Sequence, residues 1–286
     1  MAPARRQHPL SDEYLSHDRL LQMAIAAAEG FSAICMPAGG AMERVGGVQC
    51  WRSSSTVPVF NGASILSEAQ MNRNTFSALE DYFMPHGRPY SFITLEALAP
   101  KAHALMPALG YREYDSIPAM LLDDLPNAEF AMPELGEAQE PAKSAVAIPQ
   151  SAHLRVAPIQ DEDDLITFRT ILSLSFHIFP SDVELIMAEP ALHATNIRHY
   201  LAWLGGDPVG TISLVLGESL AGIWNVGTLS SYRGQGIATS MMRYALSEAR
   251  ALGYTSSALL SSNEGMSLYA RLGYTTVGAV KVYTPG

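Results

Sequence analysis

Three observations predict an α/β fold built in two halves. Strand-like and helical patterns alternate along the chain. A proline- and glutamate-rich stretch without periodicity, from Leu125 to Ser151, divides it into pieces of ordinary domain size. In the second piece a glycine-rich turn joins a strand-like run to an amphipathic helix. In the first half, residues 1–125, the pattern reads as a helix over 14–29 and strand-like runs at 47–51 and 57–60. A helix over 68–82, a strand at 90–94, a helix over 98–106 and an apolar strand at 119–122 follow. Residues 126–150 read as a linker carrying Pro126, Pro133, Pro141 and Pro149. The second half, 151–286, opens its first helix at Asp161, Glu162, Asp163 and Asp164, where negative charge suits a helix N-terminus and no metal is needed to explain it. A hairpin is expected at 216–219, a strand at 223–229, a turn at 230–232 and a helix over 237–252. That helix has an apolar face of Ile237, Met241, Met242, Ala245, Leu246, Ala249 and Leu252, and it stops at Gly253.

Composition narrows the function classes. At 286 residues with 48% hydrophobic content and 16% charge, the chain suits a compact protein with sizeable cores. Its net charge of -10 argues against adhesion to nucleic acid or anionic lipid, which needs a surplus of Lys and Arg on one face. The two cysteines, Cys35 and Cys50, make no disulfide framework, so a reduced, cytoplasmic setting is expected. Neither a secretory leader nor a membrane-spanning run is read from the sequence. The eight histidines form no ligand pair of zinc spacing, there is no Gly-x-Ser-x-Gly elbow, and no metal is expected. The 13 methionines are most simply core filler.

The run Arg233-Gly234-Gln235-Gly236-Ile237-Ala238 carries the chemistry. It opens a helix whose unpaired N–H groups and positive dipole end face the turn, and two glycines let a diphosphate approach the backbone. Farther on comes Asn263, a short helical stretch with Tyr269, and the exit Leu272-Gly273-Tyr274. Together these resemble the GNAT acyltransferase superfamily. Its phosphate motif, Gln/Arg-x-x-Gly-x-Gly/Ala, is matched by Arg233, Gly236 and Ala238, and its later motif by Asn263, Tyr269, Gly273 and Tyr274. The first half ends its last helix in the same tripeptide, Leu109-Gly110-Tyr111, but has no cradle motif and has Met106 where Tyr269 stands. It reads as a degenerate copy, so the fold class expected is two GNAT-like domains, each a mixed, mostly antiparallel sheet flanked by helices.

The resemblance implies an acetyl-CoA-dependent N-acyltransferase that works by direct attack in a ternary complex, with acetyl-CoA as acyl donor and no metal. Arg233, Gly234, Gln235, Gly236, Ile237 and Ala238 would bind the donor, with Val226, Thr228, Asn263 and Tyr269. The Val226 N–H would polarise the thioester carbonyl and Tyr269 would protonate the departing thiolate. Val226 equally suits ordinary sheet core, Tyr269 a packed sheet tyrosine, and Asn263 a turn former. No acid lies between Leu220 and Leu229, so the candidate bases are Glu218, which otherwise reads as a solvated turn residue, and His177, flanked by Phe176 and Phe179. A small amine or amino-acid-like acceptor is the first expectation. A protein N-acetyltransferase or a catalytically silent acyl-CoA-binding module is the alternative, and a homodimer is left open.

Overall fold

The computed structural model of the chain describes residues 15–36, 39–125 and 153–286. The linker read at 126–150 lies outside the described residues. Eleven strands form one sheet in the order β1-β2-β3-β4-β11-β5-β10-β9-β8-β7-β6. Strands β1 (Ala41–Val45), β2 (Val48–Arg52), β3 (Gly62–Ser64), β4 (Ser91–Leu95) and β5 (Tyr111–Leu122) come from the first half. Strands β6 (Leu154–Pro158), β7 (Ile197–Leu204), β8 (Asp207–Leu216), β9 (Ala221–Thr228), β10 (Ser257–Leu260) and β11 (Thr275–Pro285) come from the second. Each half supplies a mixed, mostly antiparallel sheet, and the two join because they exchange their last strands. β5 lies between β10 and β11, and β11 lies between β4 and β5.

The repeat is visible in the pairing. β3 and β4 are parallel around helix α2 (Arg73–Phe83), as β9 and β10 are around α6 (Ile237–Ala251). Each unit continues through a short helix, α3 (Ala102–Ala108) or α7 (Met266–Arg271), to a Leu-Gly-Tyr exit. There the glycine is left-handed, Gly110 at φ 96° and Gly273 at φ 95°, and the tyrosine is buried. α1 (His17–Cys35), α4 (Glu162–Phe176) and α5 (Pro180–Ile186) cover one face with a continuous core that runs across both halves. On the other face α2 and α3 close one core and α6 and α7 a second.

Local differences from the sequence reading have local causes. α1 runs past residue 29 to Cys35, because Gly30 is no stop signal here: its missing Cβ makes room for the Trp224 indole. The strand expected at 57–60 is instead a 3₁₀ turn, Pro58–Phe60, since proline fits a helical first turn and the Val59 carbonyl is taken by the Trp51 indole N–H at 2.9 Å. The pairing strand is β3, so Gly62-Ala63-Ser64, where a cradle would fall in this half, is strand. The helix expected over 68–82 divides into a 3₁₀ turn, Glu68–Gln70, and α2, which starts where the Asn72 side chain accepts from the Thr75 N–H. α4 starts after Asp161, whose carboxylate accepts from the Asp164 N–H at 2.9 Å.

Candidate functional site

The turn after β9 brings the chain over Ser230–Tyr232 into Arg233, Gly234, Gln235 and Gly236, and α6 begins there. Gly234 (φ 79°) and Gly236 (φ 78°) are both left-handed, a conformation that makes glycine the default. No side chain caps the helix start, so the first N–H groups of α6 face outward from its positive end. Arg233 ties the turn down: its Nε donates to the Thr228 carbonyl at 3.1 Å and Nη2 to the Ser175 carbonyl at 3.4 Å. The result is an uncapped glycine-rich turn, of the kind that suits an anion, at one end of a cleft of about 740 Å³.

The other end of the cleft is made by two strands coming apart. β9 and β10 pair only from Ala221–Ser257 to Ile223–Leu259, after which they diverge. The far edge of β10 is held by β5 of the first half, so that half supports one wall of the gap. On its opposite edge β9 bulges. Ser213 pairs with Trp224 and Thr211 with Gly227, leaving Asn225 and Val226 opposite Ile212 alone, and Asn225 adopts φ 55°. Tyr269 stands across the cleft on α7 and is buried. Its ring packs over Gly265, where a Cβ would lie 2.7 Å from Cε2, and edge-on to Tyr274 at 6.0 Å. Burial pushes the Tyr269 phenol up to about 12, so it carries its proton throughout the neutral range.

Val226, Thr228, Arg233, Gly234, Gln235, Gly236, Ile237, Ala238 and Tyr269 all line this one cleft. Asn263 does not. It is exposed in the turn between β10 and α7, while its neighbours Ser262 and Glu264 reach the lining. His177 is not brought to the cleft either. It caps the C-terminus of α4 in a left-handed conformation with an exposed side chain, although Ser175 and Phe176 beside it do line the site. Glu218 lies at the wrong end of β9, in the hairpin before it, where its N–H donates to Glu29 Oε1 at 2.9 Å. With each strand residue spanning about 3.3 Å, it is roughly 25 Å along the chain from the bulge, and the cradle lies farther on.

Sequence reasoning missed Ser175, Phe176, Thr239, Ser240, Arg243, Ser267 and Arg271 among the lining residues. Thr239 and Arg243 were within reach of it, since they sit three and seven residues beyond Gly236 and so share the cradle's helix face. Ser175 and Phe176 had no such signal, because only the docking of α4 on the sheet brings them in. Among the described residues no group of three His, Cys, Asp or Glu side chains is placed to hold a metal ion. Likewise no helix is long and apolar enough to cross a membrane.

The segment before α2 in the first half is held by its own side chains. Gln70 Oε1 accepts from the Leu66 N–H at 2.7 Å, Glu68 Oε1 accepts from the Lys101 N–H at 2.9 Å, and Asn72 caps α2. α2 thus begins with a side-chain cap, where α6 begins with none.

Residues 166–274 match the model of the Acetyltransferase (GNAT) family. The chain carries a GNAT domain. Solved structures extend the likeness of fold over nearly the whole chain. A GCN5-related N-acetyltransferase from Kribbella flavida is 18% identical with a TM-score of 0.65, over 92% of this chain and 95% of that one. A tandem GNAT protein from the clavulanic acid biosynthesis pathway is 13% identical with a TM-score of 0.54, over 96% and 95%. A conserved protein of unknown function from Staphylococcus epidermidis is 12% identical with a TM-score of 0.55, over 84% and 91%. No protein of curated function matches the chain. The GNAT fold supports acyl-CoA-dependent N-acetyl transfer in general, and two GNAT-like halves account for the 11-stranded sheet.

Proposed function

We propose that this protein is an acetyl-CoA-dependent N-acyltransferase in which residues 151–286 perform the transfer and residues 1–125 wall the acceptor side. One observation carries the reading: the uncapped start of α6, with two left-handed glycines, opens onto the same cleft as the β9 bulge and a protonated, buried tyrosine. The diphosphate of the donor would sit against the α6 N–H groups, and its pantetheine arm would follow β9 past Thr228 to Val226. Acyl transfer needs a donor at the carbonyl oxygen where negative charge develops and a proton for the leaving thiolate. The Val226 N–H and the Tyr269 hydroxyl are assigned these two roles.

Among the described residues no acid lines the cleft beside Val226 and Tyr269. Among the described residues the acid lining the cleft is Glu264, whose side chain is 89% exposed at the mouth beside Arg233. Glu218 and His177 are therefore withdrawn as bases in this reading, and the amine arrives neutral or gives its proton to water. A small amine is the acceptor assigned in this scheme, with β5 of the first half paired to β10 behind the gap. The same lack of an acid favours the second reading, a module that binds acyl-CoA without turnover. The buried, free Cys35 and Cys50 suit a reducing, cytoplasmic setting.

Calorimetric titration with acetyl-CoA, followed by thiol release over a panel of small amines, tests both readings. One site per chain is expected, with release confined to certain amines. Gly236→Val, which puts a β-branched residue at φ 78°, should abolish binding while a melting curve verifies folding. Binding without release by any amine moves the assignment to the silent module, and unchanged affinity in Gly236→Val overturns the cradle.

A further inference from the structure

Beneath the β9 bulge, on the face covered by α4, a chain of buried polar groups crosses three strands. His199 on β7 and Ser213 on β8 are register partners, with Nδ1 and Oγ 2.7 Å apart. Ser213 Oγ also accepts from the Asn225 side-chain N–H on β9 at 3.0 Å. Thr211, two residues along β8, donates its hydroxyl to the Asn225 backbone carbonyl at 2.9 Å. His199, Thr211 and Ser213 are all buried, with no more than 3% exposure. His199 is neutral, because burial among apolar groups such as the Phe168 ring lowers its pKa to about 4. Ser213 Oγ accepts from Asn225 and shares one further hydrogen bond with Nδ1, whose direction follows the imidazole tautomer, while Nε2 is buried without a partner. Three polar side chains on neighbouring strands are thus committed to holding a single residue.

That residue sets the aim of the next N–H. The Asn225 carbonyl and the Val226 N–H belong to one planar, trans peptide, so they point in opposite directions. Thr211 fixes the carbonyl toward β8 and α4, and the N–H is thereby turned to the opposite side, where Val226 lines the cleft. We infer that Thr211, Ser213 and His199 are positioning residues that lock the Asn225–Val226 peptide so that its N–H is preset to polarise the acyl carbonyl. The inference rests on the proposed donor site and adds these residues to its machinery. It also explains why Asn225 holds a left-handed conformation in a strand: its side-chain amide is anchored at Ser213 and its carbonyl at Thr211.

Three variants test it: Thr211→Val, which keeps the shape and removes the hydroxyl, Thr211→Ser, which restores it, and Ser213→Ala. The readouts are the acetyl-CoA dissociation constant and the carbonyl stretch of bound acetyl-CoA labelled with carbon-13 at the acyl carbon. In the wild type that stretch should be shifted to lower frequency relative to free acetyl-CoA. In Thr211→Val and Ser213→Ala it should return toward the free position with affinity unchanged, and Thr211→Ser should recover the shift. Thiol release with an accepted amine should fall on the order of tenfold in Thr211→Val, less than the roughly hundredfold cost of deleting a carbonyl-binding donor outright. A bound-state shift that survives in both Thr211→Val and Ser213→Ala overturns the positioning role while leaving the donor site intact. Failure of the wild type to bind acetyl-CoA overturns the donor site itself, and the positioning role with it.

Discussion

Replacing Tyr269 with Phe removes one hydroxyl and leaves the ring, which still packs over Gly265 and against Tyr274. The folded state should lose little, about 1 kcal/mol at most, because the ring keeps its packing and only one hydroxyl is removed. Turnover should respond far more. A positioned acid contributes on the order of 10²–10⁴ in rate. Burial raises the Tyr269 phenol from 10.0 to about 12, which makes the ionised form about 3 kcal/mol harder to reach than in a free tyrosine. A weaker acid belongs at the lower end of that range, so kcat for thiol release should drop about a hundredfold in Tyr269→Phe with the acetyl-CoA dissociation constant unchanged. The sign of the shift also predicts the pH profile. The phenol is the neutral, functional form below its folded pKa, so Tyr269 should add no falling limb to kcat anywhere below pH 10. Steady-state thiol release paired with calorimetry on the same preparations checks each part. Equal kcat for variant and wild type would refute the acid role, and a falling limb near pH 8 present in the wild type and absent in Tyr269→Phe would refute the argument from burial.

Two further predictions concern packing and charge. In Gly30→Ala the new Cβ would lie 1.9 Å from Trp224 Cε2, and the crowding, about 1–3 kcal/mol, outweighs a gain in helix propensity of about 0.5–1 kcal/mol. The melting temperature should fall by a few degrees, and an unchanged or raised value would show that the α1–β9 contact is looser than described. His199 has a folded pKa lowered from 6.5 to about 4, so the unfolded chain binds the extra proton first as pH falls. The stability this neutral histidine retains above pH 6.5 should be lost between pH 6.5 and about 4, by about 3 kcal/mol at most. Urea unfolding at pH 7 and pH 4.5 should show a smaller acid loss in His199→Phe than in the wild type, and equal losses would refute the assignment.

How much of this was legible beforehand follows from the range of the interactions involved. The cradle, the α6 face, the Asp161 cap and the two Leu-Gly-Tyr exits were readable because each depends on residues a few positions apart: a turn's φ angles, a helix period, a side chain reaching the third N–H. The short first-half elements were harder. Pro58 and Asn72 moved boundaries by choosing a 3₁₀ turn and a cap over an apolar pattern equally compatible with a strand or a longer helix. Glu218 and His177 were plausible bases by residue type alone, and only their places, a hairpin tip at the far end of β9 and a helix cap outside the cleft, take them out of reach. The strand exchange lay beyond the sequence altogether, since Leu122 meets Ser257 and Tyr111 meets Pro285 through backbone hydrogen bonds that carry no side-chain code. The same holds for His199, Ser213 and Asn225. Alternation along each strand says which residues share a face, but the pairing of three strands decides which of them touch. The chain alone therefore determined the glycine-rich turn and the helix that follows it. The tertiary structure decided which side chains hold the Asn225 peptide, because those partners come from strands that only the finished sheet brings together.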